Sequence, residues 1–245
     1  MHSCNLLMLD LDNTLWDFDG NAEEALVELF HRHQLHVRTA HSVHHFIETY
    51  KAINKAYWKR YEAGEIEKDV LRTGRFIDTF RALGIPDDEH PENVWDEYLE
   101  ICPLMTRMMP GAMAFVKEMK SHFQLVLVTN GFEKTQRIKI KACGLADYID
   151  LMVSSEAAGI AKPDKGIFDI AMQSATEKWG QFDRVFYAGD TWDTDVAGGV
   201  NAGIPTCWYN HAAIEVPDDT TSRHPLFLGA FDSLSTLGTA LLERL

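Results

Sequence analysis

A short apolar run, Leu6-Leu7-Met8-Leu9, leads directly into Asp10-Leu11-Asp12-Asn13-Thr14. Strand side chains repeat every two residues, so Asp10 and Asp12 project to the same side where the strand opens into a loop. Two carboxylates placed in this way can divide a reaction between them: one attacks while the other handles a proton. Asp12, Asn13 and Thr14 are also residue types that turn a chain and cap the following helix, so the pair alone leaves a purely structural role open. Three further polar signals favour chemistry. The run Gln124-Leu125-Val126-Leu127-Val128 ends in Thr129-Asn130-Gly131, and Val185-Phe186-Tyr187-Ala188 ends in Gly189-Asp190 with Asp193 and Asp195 just beyond. Between them lies Ala161-Lys162-Pro163-Asp164. In open α/β sheets the ligand crevice lies beyond the carboxyl ends of the strands, where residues in these positions converge.

With these four signals in this order, the chain resembles the haloacid dehalogenase-like (HAD) hydrolase superfamily, most of whose members are magnesium-dependent phosphatases. The motifs stand here as Asp-x-Asp-x-Thr from Asp10 to Thr14, a strand-end threonine at Thr129, a lysine at Lys162, and Gly-Asp-x4-Asp with Asp190 and Asp195. The resemblance covers essentially the whole chain. The segment from Tyr50 to Asn54 through Trp58, Tyr61-Glu62-Ala63-Gly64 and Arg75-Phe76 looks like the helical cap of bacterial pyrimidine 5′-nucleotidase-like members. Gly189 to Asn210 points the same way.

The resemblance implies a role for each motif residue. Asp10 would attack phosphorus to form an aspartyl-phosphate, and Asp12 would protonate the leaving oxygen and then activate water. Mg2+ would be held by the Asp10 carboxylate, the Asp12 backbone carbonyl and the Asp190 side chain. Asp195 would serve either as an outer ligand through water or as an orienter of the others. Thr129, with the amides of Asn130 and Gly131, would donate to phosphoryl oxygens, while Lys162 neutralises them and restrains Asp10. In the cap, Trp58, Tyr61, Arg72 and Arg75 are candidates to meet the substrate; Trp58 would stack on a base, and Arg75 would lie near ribose or phosphate.

The activity implied is magnesium-dependent phosphomonoester hydrolysis, with nucleoside 5′-monophosphates, pyrimidine ones foremost, as substrates. Sugar-phosphate or phosphoglycolate phosphatase and phosphomutase chemistry would use the same motifs. A 2-haloacid dehalogenase has no use for an acid two residues from its nucleophile, which sets Asp12 against that reading. An inactive binding scaffold has no chemical need to keep the full set.

Composition narrows the partners. The formal net charge of −14 argues against nucleic acid or an anionic membrane, both of which are bound through clustered Lys and Arg. A small phosphorylated metabolite is compatible, because a divalent cation and a lysine reverse the local field. No apolar stretch approaches the roughly 20 residues of a membrane span, and the N-terminus lacks a signal-peptide pattern, so a cytoplasmic monomer or small homo-oligomer is expected. Cys4, Cys102, Cys143 and Cys207 are scattered without a Cys-x-x-Cys pair. His41 with His44 or His45 could share a helix face, but no acidic or Cys partner is fixed by spacing. Gly198-Gly199 and Gly203 do not form a dinucleotide fingerprint.

The apolar periodicity places an inserted helical lobe after the first strand. Ala22, Ala25, Leu26, Leu29 and Phe30 fall at helical spacing, as do Phe46, Tyr50, Ile53, Tyr57 and Tyr61, and further helical pattern runs through Val70–Leu83 and Val94–Cys102. Pro110-Gly111 breaks the chain, which then alternates strand and helix as a parallel sheet requires. The expected architecture is an α/β Rossmann-like parallel-sheet core, residues 1–15 and 110–245, with an α-helical cap at 16–109. Ile204–Trp208 reads as the last strand, and Leu234, Leu237, Leu241 and Leu245 mark a closing helix behind Ser233.

Overall fold

The computed structural model describes residues 4–245. Its contacts divide the chain into two compact units: one runs up to Phe18 and resumes at Thr106–Leu245, and the other is Asp19–Met105. Residues 15–18 and 106–109 fall in the first unit because the chain closes on itself there. The Met109 amide donates to the Leu15 carbonyl at 3.0 Å, and Trp16 pairs antiparallel with Met108.

The first unit is built on six parallel strands: β1 (Asn5–Leu9), β2 (Gln124–Thr129), β3 (Leu151–Ser154), β4 (Arg184–Gly189), β5 (Thr206–Tyr209) and β6 (Phe227–Phe231). Their order is β3-β2-β1-β4-β5-β6. This is the doubly wound arrangement, in which the direction of strand addition reverses beside β1 and opens a crevice at the carboxyl ends. Every residue of β1 is buried, which explains its unbroken apolar sequence. The register sets Leu9 opposite Ala188 and Leu127, so Asp10 leaves the sheet between the ends of β4 and β2.

The helices that cover this sheet continue the chain numbering of the other unit's five. They are α6 (Ala112–Lys120), α7 (Glu133–Ala142), α8 (Ser155–Ala158), α9 (Lys165–Trp179), α10 (Ala197–Asn201) and α11 (Leu234–Leu242). On one face Leu6, Met8, Val126, Val128 and Tyr187 pack against Ile167, Phe168, Ala171 and Ala175 of α9. Phe186, pointing to the other face, meets Phe123 just past α6. Burial of these side chains is the main stabilising term, at ~1.5–3 kcal/mol for each large apolar residue fully removed from water.

The expectation that Ile204–Trp208 is the last strand is corrected, because β6 pairs in parallel with β5 beyond it. Phe-Leu-Gly-Ala-Phe is a half-buried edge strand with Gly229 at φ 130° and a register shift in its pairing, so it shows neither alternation nor a full apolar run. The other expected core elements fall within a few residues of their observed bounds.

The second unit contains α1 (Phe18–Arg32), which starts at the boundary, α2 (Leu35–Arg38), α3 (Val43–Glu62), α4 (Lys68–Ala82) and α5 (Val94–Ile101). Its interior is aromatic: Phe46 stacks on Phe80 with centroids 6.4 Å apart, and Tyr50 meets Phe76 at 4.9 Å. A Cβ on Gly74 would lie 2.6 Å from the Tyr57 ring, so this glycine lets α3 and α4 approach closely. No helix among the described residues is long and apolar enough to cross a membrane.

Candidate active site

Immediately after β1 the backbone tightens. The amides of Leu15 and Trp16 both donate to the Leu11 carbonyl at 2.9 Å, and Asn13 takes a left-handed conformation with φ 59°. Asparagine tolerates that region better than most residues, which accounts for its place in the turn. Asp10 itself is anchored by its amide, which donates to the Ala188 carbonyl of β4 at 3.0 Å. The turn carries Asp12 beyond the sheet, partly exposed, while Asp10 stays buried.

Lys162 is the hub of the site. Its ammonium donates to Asp10 Oδ1 at 2.6 Å, to Asp195 Oδ1 at 2.7 Å and to the Tyr187 hydroxyl at 3.1 Å, all within the buried interior. The Tyr187 hydroxyl in turn donates to Asp195 Oδ1 at 2.5 Å, and the other Asp195 oxygen accepts from the Thr191 amide at 3.0 Å. The backbone of Lys162 is fixed by Asn130, whose Oδ1 accepts from the Lys162 amide at 2.8 Å and whose Nδ2 donates to its carbonyl at 3.1 Å. The end of β2 therefore positions the lysine that faces the end of β1.

Gly189 makes this arrangement possible. A Cβ there would lie 2.4 Å from Asp195 Cγ, inside the space the carboxylate occupies. Asp195 projects from a π-helical turn, Trp192–Val196, whereas Asp193 in the same turn is exposed. Thr14 Oγ1 donates to Asp190 Oδ1 at 3.3 Å, and Trp208 Nε1 donates to the Asp190 carbonyl at 2.6 Å.

Asp10, Asp190 and Asp195 each offer an oxygen within 4.8 Å of the others. Three carboxylates facing one lysine leave an excess of negative charge in a low-dielectric site. Burial pushes Asp10 up to about 7; Lys162 opposes the rise, and the charges of Asp195 and Asp12 add to it. Asp190 is raised well above the usual carboxylate range by burial and by Asp195 and Asp10. Burial by itself would lower Lys162, but Asp10 and Asp195 hold it above the ordinary lysine value. A hard divalent cation suits this all-oxygen donor set. Both oxygens of Asp195 already accept short bonds from Lys162, Tyr187 and Thr191, whereas Asp190 accepts only long ones from the Thr14 and Thr191 hydroxyls, at 3.3 and 3.4 Å, so Asp10 and Asp190 are the carboxylates best placed to hold a cation.

Thr129 is buried at the end of β2, and its Oγ1 accepts from the Gly131 amide at 3.1 Å and from Gln136 Nε2 at 2.7 Å. With both lone pairs accepting, the hydroxyl proton is directed to a third partner. The Gly131 amide is thus engaged with Thr129. Gly131 also makes room for Gln136, since a Cβ there would lie 2.2 Å from Gln136 Nε2.

Asp10, Asp12, Thr129, Asn130, Gly131, Lys162, Asp190 and Asp195 all lie in the sheet unit, whereas Trp58 and Arg75 lie in the helical unit. Trp58 is partly exposed and meets Tyr61 edge-to-face at 5.8 Å. Arg75, expected as a substrate contact, is instead only 3% exposed. Its Nη1 donates to Asn54 Oδ1 at 2.7 Å, and its guanidinium lies 5.2 Å from the Tyr98 ring centroid and 5.8 Å from that of Tyr50. These contacts place Arg75 in the packing of its own unit.

Three residues of the site carry no motif: Tyr187, Gln136 and Lys139. Tyr187 hides in an apolar strand run. Gln136, Lys139 and Ile140 are the buried residues of α7, so two polar residues occupy the stripe of an amphipathic helix where apolar ones are the rule. That substitution is the signal that could have found them.

Comparison with known proteins identifies the family. A family model described as haloacid dehalogenase-like hydrolase matches residues 4–203. The chain is 34% identical over 212 residues to the pyrimidine 5′-nucleotidase YjjG of Escherichia coli (strain K12), covering 86% of this chain and 88% of that one. It is 27% identical over 241 residues to the pyrimidine 5′-nucleotidase PynA of Streptococcus pneumoniae, covering 98% and 97%. Among solved structures, the magnesium-bound HAD-hydrolase YfnB from Bacillus subtilis superposes with a TM-score of 0.81 at 25% identity, covering 98% of this chain and 99% of that one.

Proposed function

The chain belongs to the haloacid dehalogenase-like hydrolase family, and from that premise we propose that it is a magnesium-dependent phosphomonoesterase acting on pyrimidine nucleoside 5′-monophosphates. The observation that carries this reading is the buried Lys162 bridging Asp10 and Asp195, with Asp190 beside them at the strand ends. The two similar proteins named as pyrimidine 5′-nucleotidases support the substrate class.

Lys162 occupies Oδ1 of Asp10, which leaves the other oxygen to attack phosphorus in line with the departing alkoxide. The new bond is Asp10 Oδ–P and the broken bond is P–O of the ester; Asp12 supplies the proton to the leaving oxygen. Thr129 donates its hydroxyl proton to a phosphoryl oxygen, and Lys162 offsets the charge that develops there. In the second step a water loses its proton to Asp12 and attacks phosphorus, which releases phosphate and restores Asp10. Mg2+ held by Asp10, Asp190 and the Asp12 carbonyl would supply further neutralisation of the phosphoryl oxygens. Asp195 holds Lys162 rather than the metal. The helical unit Asp19–Met105 serves as the cap, and Trp58, with its partly exposed ring, is the candidate to stack on the base.

The test is phosphate release from UMP, dTMP, glucose 6-phosphate and phosphoglycolate by one preparation. Higher specificity constants for the two nucleotides support the proposal. Preference for a sugar phosphate or phosphoglycolate would retain the phosphatase and remove the nucleotide assignment.

A further inference from the structure

Asp12 is held from a direction that no motif announces. Gln136 and Lys139 lie three residues apart on α7 and so share a face of that helix. Lys139 Nζ donates to Asp12 Oδ1 at 2.6 Å, and Gln136 Nε2 donates to Asp12 Oδ2 at 2.8 Å. The two contacts together grip both carboxylate oxygens, which fixes the rotation of the group as well as its position. The same Gln136 nitrogen reaches Thr129 Oγ1 at 2.7 Å, linking the proton-handling carboxylate to the phosphate-facing hydroxyl through one amide. Gln136 Oε1 is buried with no partner among the described residues, while the opposite amide orientation would set that oxygen against the Asp12 carboxylate.

The surroundings of Lys139 strengthen the grip. Its side chain is 5% exposed, and its Nζ lies 4.4 Å from the ring centroid of Trp16 and 5.4 Å from that of Phe18. An ammonium sheathed by aromatic rings is screened from water and interacts more strongly with its carboxylate than a surface lysine would. An ordinary helix would place an apolar residue in this stripe. A buried lysine and a buried glutamine that both meet Asp12 are more than packing requires.

We propose that Lys139 and Gln136 are positioning residues for the reaction, holding the Asp12 carboxylate in the orientation from which it exchanges a proton with the leaving group and with water. The proposal rests on the reading of Asp12 as the proton donor and acceptor. Asp12 stands on a loop, and without the two donors its side chain would be free to turn about both torsions; a misplacement of about 1 Å in a reacting group can cost ~10²-fold in rate. Neither residue touches the phosphoryl group in this scheme, since they act through Asp12 and Thr129.

The experiment is a kinetic double-mutant cycle on the full chain with Mg2+. Lys139→Met, Lys139→Arg and Gln136→Met are each measured with Asp12 intact and with Asp12→Asn, using UMP and p-nitrophenyl phosphate. Lys139→Met is expected to lower kcat/KM, which reports phosphorylation of Asp10, by about 10²-fold on UMP and by much less on p-nitrophenyl phosphate, whose leaving group hardly needs a proton. Lys139→Arg should recover much of the loss. In the Asp12→Asn background neither Lys139 change should lower kcat/KM further, because there is no proton donor left to position, whereas Gln136→Met keeps only the part of its loss that runs through Thr129. Losses of equal size on both substrates that multiply with Asp12→Asn would reduce the pair to structural residues and overturn the proposal, leaving the phosphatase reading intact. An Asp12→Asn variant as fast as the unaltered protein would instead overturn the reading beneath it, and the proposal with it. Should Lys139→Met fail to fold, Lys139→Gln, which removes the charge and keeps a polar group in the same stripe, carries the same comparison, with the same outcomes deciding it.

Discussion

The ammonium of Lys162 lies 2.6 Å from Oδ1 of Asp10, a contact that joins residues 152 positions apart and that is buried on both sides. Asp10 follows β1 and Lys162 lies in the connection between α8 and α9, so the pair exists only when the sheet and its helices are assembled. It ties the charge balance of the site to the integrity of the fold.

Removing that cation should therefore affect both activity and stability. In Lys162→Met the carboxylates of Asp10 and Asp195 lose their shared donor, and turnover should fall by ~10²–10³ as electrostatic stabilisation of the phosphoryl group is lost. Breaking a buried pair by deleting one partner also lowers stability by about 3–5 kcal/mol. Chemical denaturation and steady-state kinetics measure the two effects, and a variant that kept both would remove Lys162 from the site.

Tyr187→Phe isolates the hydroxyl that donates to Asp195 and accepts from Lys162. The ring, and its packing against Phe168, are kept. The expected loss is about 1 kcal/mol of stability, with a fall in kcat larger than any rise in KM, since a less firmly held Lys162 affects the transition state more than binding. A variant with unchanged kcat would show that Asp195 alone suffices to hold the lysine.

The raised Asp10 predicts a pH dependence with a definite sign. Its folded value of about 7 lies above the ordinary 3.8, so with protein charges alone the folded state keeps a proton that the unfolded chain has released. The contribution of Asp10 to stability is therefore fully present below 3.8, is lost as pH rises from there to about 7, and then levels off. A cation that binds the ionised carboxylate must displace this proton below 7. The rise in Tm on adding Mg2+ to EDTA-treated protein should consequently be larger at pH 8 than at pH 5.5. An equal rise at both values would mean that the cation does not bind through Asp10.

Much of this site was legible in the sequence because its residues stand directly at the ends of apolar runs. Asp10 follows β1, Thr129 ends β2 and Asp190 follows β4, so a strand boundary and a polar residue announce each of them together. Lys139 and Gln136 were not legible in this way, because their partner, Asp12, lies more than 120 residues away and only the tertiary fold brings α7 to it. Arg75 is ambiguous in the sequence for a related reason. An arginine beside aromatic residues reads equally well as a substrate contact or as packing, and only burial distinguishes the two. In the fold, β6 escaped notice because an edge strand with a central glycine carries little of the alternation that marks half-buried sheet.

Gly131→Ala tests the packing around Gln136 without changing any charge. The added Cβ would lie 2.2 Å from Gln136 Nε2 and must push the amide away from Thr129 and Asp12. Turnover should fall by ~10-fold or more while the far-UV spectrum stays unchanged. Full activity in this variant would mean that Gln136 is dispensable to the reaction.

Trp58→Ala addresses base recognition in the helical unit. Energy from a base remote from phosphorus appears in kcat/KM, so the ratio of UMP to glucose 6-phosphate should fall by about 10-fold, with p-nitrophenyl phosphate little changed. An unaltered ratio would remove the stacking role and leave the phosphatase chemistry in place.

The proposed covalent step on Asp10 is tested directly in Asp12→Asn with p-nitrophenyl phosphate. This leaving group departs without help from Asp12, but hydrolysis of the intermediate still needs a base, so phosphoenzyme should accumulate. After rapid quenching, borohydride reduction and peptide mass analysis, the expected result is homoserine at position 10 together with a burst of p-nitrophenol equal to the enzyme present. Release of p-nitrophenol through many turnovers with Asp10 unmodified, or the modification at any other residue, would contradict the assignment of Asp10 as the nucleophile.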